Sequence, residues 1–227
     1  MRVPPSGTEP AEWRDWLNAD EHSRLARKLR AADVQRELTS RACLRQLLGH
    51  YLDRPPSSIA FALEPDGKPF LAHTSAGERL EFNVSHAGDW ALLAFGHGLR
   101  VGVDIEPWSE LEFDQLVRGF FSPVEKDAWA QLRAEEKRAA FFAAWTRKEA
   151  YLKALGTGLA KPLDSFAVRF TPRDSPAELL WCADDPRAPE RWSMTAFTPA
   201  PGYSGALAVE TAVTHVVRLT FRVAPRN

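Results

Sequence analysis

Cysteine is scarce, with only Cys43 and Cys182 in 227 residues. Two such distant thiols exclude a disulfide framework and a thiolate metal site, and they point to a reducing compartment. No apolar run approaches the roughly 20 residues that a membrane-spanning helix needs. Residues 1–13 also lack the apolar core of a secretion signal. An excess of one charge is missing too: 29 Lys and Arg stand against 30 Asp and Glu, for a net −1. That balance removes any whole-molecule attraction to nucleic acid. The expectation is a cytoplasmic protein with neither nucleic acid nor membrane as partner. With 44% hydrophobic residues, a chain of this length has ample core for one large domain or two small ones.

Periodicity sorts the chain into short strands and a few helices. A helix over 21–30 carries Arg24, Arg27, Lys28 and Arg30, either as a solvated face or as an anion site. A second, over 33–52, keeps Leu38, Ala42, Leu44, Leu48 and Leu52 apolar and turns Arg36, Arg41 and Arg45 outward or toward a cleft. Strands are expected over 58–63, 80–85, 90–95 and 101–105, with hairpin-length connections at 86–89 and 96–99. After a linker over 108–112, helices are expected over 113–120, 122–133 and 137–155. Strands follow over 165–170, 178–182, 192–197, 204–210 and 213–221. Ser122-Pro123-Val124-Glu125 reads as a helix start, with Ser as N-cap, Pro first and Glu third. Glu125 thus has a capping role to set against any catalytic one.

Sliding the chain against itself by 107 positions lays residues 39–63 over 146–170 without a gap. Thr39/Thr146, Leu48/Leu155, Gly49/Gly156, Pro55/Pro162 and Ser58/Ser165 are among the matches. The expected fold is therefore α+β: two pseudo-symmetric lobes, 1–106 and 107–227, each a small, mostly antiparallel sheet packed on a long helix. Glu149 falls opposite Ala42, so the copies differ at an acidic position. One active site at the lobe interface follows.

Three carboxylates carry the chemistry. On the helix ending at Gly156, Trp145, Glu149 and Lys153 share a face at i, i+4, i+8, with Lys148 beside them. Upstream, Asp104 and Glu106 end an apolar strand at i, i+2 and point to one side. Gathered together, Asp104, Glu106 and Glu149 would repel unless a cation lay between them, and all-oxygen ligands suit Mg²⁺ better than Zn²⁺. The plainer alternative is a solvated strand end beside a helical ion pair. A His after Ser85, at the end of a strand, is by itself more often a local cap than a catalytic group.

Phe82-Asn83-Val84-Ser85-His86, Val101-Gly102-Val103-Asp104-Ile105-Glu106, Phe120-Phe121-Ser122 with Glu125, and Trp145-Thr146-Arg147-Lys148-Glu149-Ala150 with Lys153 resemble the signature blocks of the 4'-phosphopantetheinyl transferases. The large, two-lobed, surfactin-synthetase-activating type is the nearer match. The resemblance spans about residues 36–170. It implies transfer of 4'-phosphopantetheine from coenzyme A to a serine of an apo acyl or peptidyl carrier protein, releasing adenosine 3',5'-bisphosphate. It also implies Mg²⁺ on Asp104, Glu106 and Glu149, with Lys153 on phosphate oxygen and Glu149 or Glu125 as base, Glu149 preferred. Coenzyme A would be held by Lys68, Ser85, His86 and Arg36, with Arg24 and Lys28 toward the 3'-phosphate and Lys148 nearby. The chain is expected to act as a monomer and to dock an acidic carrier near Arg118, Phe120 and Phe121. A non-catalytic coenzyme A or nucleotide-binding module and a Mg²⁺-dependent phosphohydrolase are the rival readings.

Overall fold

Side-chain caps at Asn18 and Ser122 fix two helix starts, and the left-handed residues Asp53 and Gly156 fix the ends of the long helices. The computed structural model describes residues 1–4, 7–72, 79–171, 176–212 and 215–220. The first helix, α1 (Ala19–Ala26), begins with a capping box between Asn18 and Glu21. It stops short of Arg27 and Lys28, which the sequence pattern had placed within it. A 22-residue helix, α2 (Ala31–Leu52), follows and ends on Asp53 in the left-handed conformation. A one-turn 3-10 helix at Pro56–Ser58 occupies the start of the expected 58–63 strand. Pro55 and Pro56 cannot supply the amide hydrogens that a strand would use there.

The strands β1 (Phe61–Leu63) and β2 (Pro69–Leu71) form a hairpin around the Pro65-Asp66-Gly67 turn. A longer hairpin joins β3 (Leu80–Ala87) to β4 (Trp90–His97) through Gly88 and Asp89. The next strand, β5 (Val101–Pro107), was expected to pair with β4. It leaves that hairpin and becomes the edge of a different antiparallel sheet, pairing with Tyr203–Val209, which in turn pairs with Ser193–Phe197.

Residues 108–112 are irregular, as the composition suggested. Then come α3 (Phe113–Phe120), α4 (Pro123–Ala130) and the 22-residue α5 (Ala134–Leu155). Ser122 and Glu125 form the expected capping box on α4, and Gly156, at φ 80°, terminates α5. After a 3-10 turn at Leu163–Ser165, β6 (Phe166–Val168) pairs with β7 (Leu179–Cys182). The short α6 (Ala188–Arg191) leads to β8 (Ser193–Phe197) and β9 (Tyr203–Val209). No strand forms at 215–220, and positions 213, 214 and 221 of that expected strand lie outside the described residues.

The internal repeat reappears as element order. Each long helix is followed by a 3-10 turn and two antiparallel hairpins, and the turns at 56–58 and 163–165 are 107 positions apart. Each helix packs on the strands that follow it. Leu44 and Leu48 of α2 pack with Ile59, Leu71 and Phe82, while Ala150 and Leu152 of α5 pack with Phe166, Leu179 and Met194. The copies differ at the helix end: α2 runs a turn past Gly49, whereas α5 stops at its counterpart Gly156 and a further 3-10 turn follows at Gly158–Ala160. A third cluster, built on Phe121, Trp129, Phe141 and Phe142, anchors α3 and α4 to the first half of α5.

Two buried ion pairs knit these pieces together. Arg45, expected at the surface or a cleft, is instead 1% exposed. Its guanidinium bonds Glu21 at 2.7 Å and donates to the Ile59 carbonyl at 2.6 Å, joining α1, α2 and the strand entry. The other pair, Lys148 with Glu125 at 2.8 Å, lies between α5 and α4. Among the described residues, no helix is long and apolar enough to cross a membrane.

Candidate active site

The meeting of β3, β5 and α5 creates the site. Between β3 and β5 the links are made by side chains: Asn83 Oδ1 accepts from the Val103 amide at 2.9 Å, and Ser85 Oγ donates to Asp104 Oδ1 at 2.9 Å. Helix α5 lies so close to β5 that a Cβ on Gly102 would overlap the Ala150 carbonyl and the Ala154 backbone. Only glycine permits that approach, and it delivers Lys153 to the strand.

Lys153 Nζ sits 2.5 Å from Asp104 Oδ1 and 2.9 Å from Ser85 Oγ. Asp104 is 2% exposed, and its Oδ2 is buried without a hydrogen-bond partner. Burial pushes the Glu106 carboxyl up to about 7, helped by the charges of Asp104 and Glu149 and opposed by Lys153. Glu149 is raised for the same reasons, burial first and Asp104 second, again against Lys153. The three acids thus feel one another, as their spacing suggested, with one ammonium among them. In this conformation, no three acidic, His or Cys side chains of the described residues converge closely enough to hold an ion. The donor set still fits a hard cation. It is all oxygen, carries an unsatisfied buried carboxylate oxygen, and holds more negative charge than Lys153 offsets.

A second charged group lies at the face of α2. A cavity of about 240 Å³ is lined by Arg24, Arg27, Lys28 and Glu37. Glu37 lies 3.1 Å from Arg41, 3.8 Å from Lys28 and 4.0 Å from His86 Nε2. Burial opposes ionisation of Glu37, but Arg41, Lys28 and His86 outweigh it and hold the carboxyl below its usual range. One acid cannot balance this much positive charge, so the cavity suits an anion. His86 is joined to the acid cluster through its neighbour Ser85. Arg27 belongs to the basic stretch that the sequence offered as a possible anion site, whereas Arg41 enters the group through its contact with Glu37.

Other expected site residues are placed elsewhere. Arg36 pairs with Asp33 at 2.7 Å. Lys68 donates to the Ala154 carbonyl at 3.0 Å and closes the C-terminal end of α5. Burial lowers its ammonium against the pull of Glu81 and Glu64, with Arg100 adding to the lowering. Glu125 and Lys148 face each other in the interior. Glu125 accepts from the Ser122 and Val168 amides as well as from Ser122 Oγ. Lys148 donates to the Leu163 and Phe166 carbonyls. Phe121 is fully buried, whereas Phe120 and Val124 are exposed.

Two family models match the chain. Residues 100–208 match the 4'-phosphopantetheinyl transferase superfamily, and residues 4–97 match the N-terminal part of 4'-phosphopantetheinyl transferases. The 4'-phosphopantetheinyl transferase HetI of Nostoc sp. is 36% identical over 196 residues, covering 85% of this chain and 78% of that protein. The 4'-phosphopantetheinyl transferase gsp of Aneurinibacillus migulanus is 31% identical over 66% of this chain and 60% of its own length. The transferase Sfp of Bacillus subtilis is 28% identical over 74% of this chain and 73% of its own length.

Proposed function

The chain belongs to the 4'-phosphopantetheinyl transferase superfamily, and we propose from its geometry how it moves 4'-phosphopantetheine from coenzyme A to a carrier-protein serine. The observation that carries the reading is the convergence of Lys153, Ser85 and Asp104, with Glu106 and Glu149 electrostatically coupled to them. The boundary between the lobes falls near residue 106, at the end of β5, the strand that lies against β3 and pairs with β9 along its whole length. The substrate lies across that seam. Its 3'-phosphate sits at Arg24, Arg27, Lys28 and His86, and its pyrophosphate at the acid cluster.

Asp104, Glu106 and Glu149 are the residues that would hold Mg²⁺, which supplies charge neutralisation for the pyrophosphate. The carrier's serine oxygen bonds the β-phosphorus as the bond from that phosphorus to the bridging oxygen breaks. Adenosine 3',5'-bisphosphate leaves with the bridging oxygen, and the serine proton passes to Glu149. Burial raises the Glu149 carboxyl, which makes it a better proton acceptor than an exposed glutamate. Lys153 offers a positive charge to phosphate oxygen and holds Asp104 and Ser85 in place. Glu125, with its oxygens engaged in the interior, is a structural acid in this scheme. The carrier docks on exposed Phe120 and Val124 beside Arg118, and the duplicated halves supply a complete site in one chain, as a monomer requires.

The test is incubation of the protein with coenzyme A, Mg²⁺ and a panel of apo carrier proteins, followed by intact-mass measurement. One carrier should gain a single phosphopantetheine. Glu149→Gln and Asp104→Ala should abolish that gain while circular dichroism stays unchanged. Persistence of full transfer in both variants would overturn the assignment. Coenzyme A cleavage without any acceptor would mark a phosphohydrolase instead.

A further inference from the structure

A larger cleft, about 470 Å³, opens between the first half of α5, the β8–β9 hairpin and Trp108. None of the acid-cluster or α2 residues lines it. Ala140 and Ala143 of α5 form one wall, and Met194 and Phe197 of β8 contribute to the opposite one. Among the described residues one charged side chain, Arg147, lines the cleft, and Thr146, Thr195 and Ser204 add hydroxyls.

Arg147 is 8% exposed. One of its terminal nitrogens donates to the Arg169 carbonyl, and its Nε is buried with no hydrogen-bond partner. No carboxylate forms an ion pair with it among the described residues, in contrast to buried Arg45 and Lys148, each of which has an acid within 2.8 Å. A desolvated cation with no counter-charge among the described residues is destabilising, and here it borders an open volume within the range of small-molecule pockets.

We propose that this cleft is a binding site for a small monocarboxylate with an apolar body, its carboxylate on Arg147 and its chain between α5 and β8. A single planar guanidinium matches a carboxylate in charge and can hold it by two parallel bonds. A phosphate dianion would leave charge unbalanced, since no second cation among the described residues lines the cleft. The apolar parts of the walls, Ala140, Ala143, Met194 and Phe197, accept the remainder of the molecule through apolar burial. The site does not depend on the transferase reading: its ligand is neither coenzyme A nor the carrier.

The test is calorimetric titration of the purified protein with octanoate, using octan-1-ol as the uncharged control. Octanoate should bind saturably at one site, and octanol more weakly. Arg147→Met should weaken octanoate at least about tenfold, equivalent to about 1.4 kcal/mol, and leave octanol unchanged. Thr195→Trp fills the cleft from the edge strand β8 while keeping Arg147, and it should abolish binding of both, which protects the test if Arg147→Met misfolds. Equal affinity for octanoate and octanol, an unaffected Thr195→Trp variant, or no saturable octanoate binding each overturns the proposal. If octanoate fails to bind while Arg147→Met weakens an acidic carrier, the cleft is a protein-docking surface and the proposal is equally refuted.

Discussion

Replacing Lys148 by Met tests whether the buried pair beneath α5 is a structural bolt or part of the chemistry. Lys148 is completely buried, and its three donors are used: Leu163 O at 2.8 Å, Phe166 O at 2.7 Å and Glu125 Oε2 at 2.8 Å. Methionine matches the aliphatic stem but leaves a carboxylate unpaired in a site only 1% exposed. Breaking one side of such a pair costs about 3–5 kcal/mol. For a chain of this size, each kcal/mol lowers Tm by about 2–4 °C, so a fall of roughly 6–20 °C is expected. Removing the second charge as well, in Lys148→Met/Glu125→Gln, should recover part of the loss, because the orphaned charge disappears while two carbonyls stay unpaired. Urea unfolding of both singles and the double closes the cycle. Glu125→Gln alone should reduce stability yet leave transfer per folded molecule unchanged. The reasoning fails if Lys148→Met costs less than about 1 kcal/mol, or if Glu125→Gln stops transfer in a fully folded protein.

Gly102→Ala inserts a methyl group against the α5 backbone, and overpacking of this kind typically costs about 1–3 kcal/mol. It should also separate Lys153 from Asp104, so transfer should fall further than stability does; unfolding curves and carrier mass gain measured on one preparation decide this. Because the Glu106 carboxyl is raised to about 7, the folded protein holds that proton more tightly than the unfolded chain does. In metal-free buffer its contribution to stability is full below the ordinary glutamate range and is lost as pH rises through about 7. Thermal melts from pH 4 to 8 should therefore flatten in Glu106→Gln, and Mg²⁺ should raise Tm more at pH 8 than at pH 6 in the parent only. Arg45→Met should cost about 3–5 kcal/mol by stranding Glu21, and Glu21→Gln/Arg45→Met should recover part of it, as read from urea midpoints.

Local signals carried the elements whose causes are local. The capping box at Ser122 and the stop at Gly156 come from single residues acting within one turn, and both lie where the spacing put them. The acids of the site were legible for a related reason: period 2 on β5 and period 3.6 on α5 aim their carboxylates without knowledge of the fold. Strand pairing was not legible. A short connection after β4 looks like a hairpin whether or not the next strand stays, and β5 leaves because its partner β9 arrives from about a hundred residues away. Arg45 and Lys148 show the same limit in side-chain form. The sequence pattern turned Arg45 outward or toward a cleft and set Lys148 near the coenzyme A site, and only the distant acids Glu21 and Glu125 make burial of either tolerable.

Gly102 joins the two kinds of information. Read alone, a glycine within an apolar strand marks a bulge or a close approach, without naming what approaches. The structure supplies α5, whose backbone fills the space a side chain would need. Lys153 can therefore touch Asp104 because residue 102 has no Cβ, and the strand's acids and the helix's lysine become one site through a residue that bears no functional group. The same closeness buries Asp104 and half-buries Glu106 and Glu149, and burial is the first cause of both raised glutamates. Charge, proton affinity and position in this site thus follow from one packing contact. A methyl group at 102 should disturb all three together, whereas Glu149→Gln should remove one charge and leave the strand–helix contact intact.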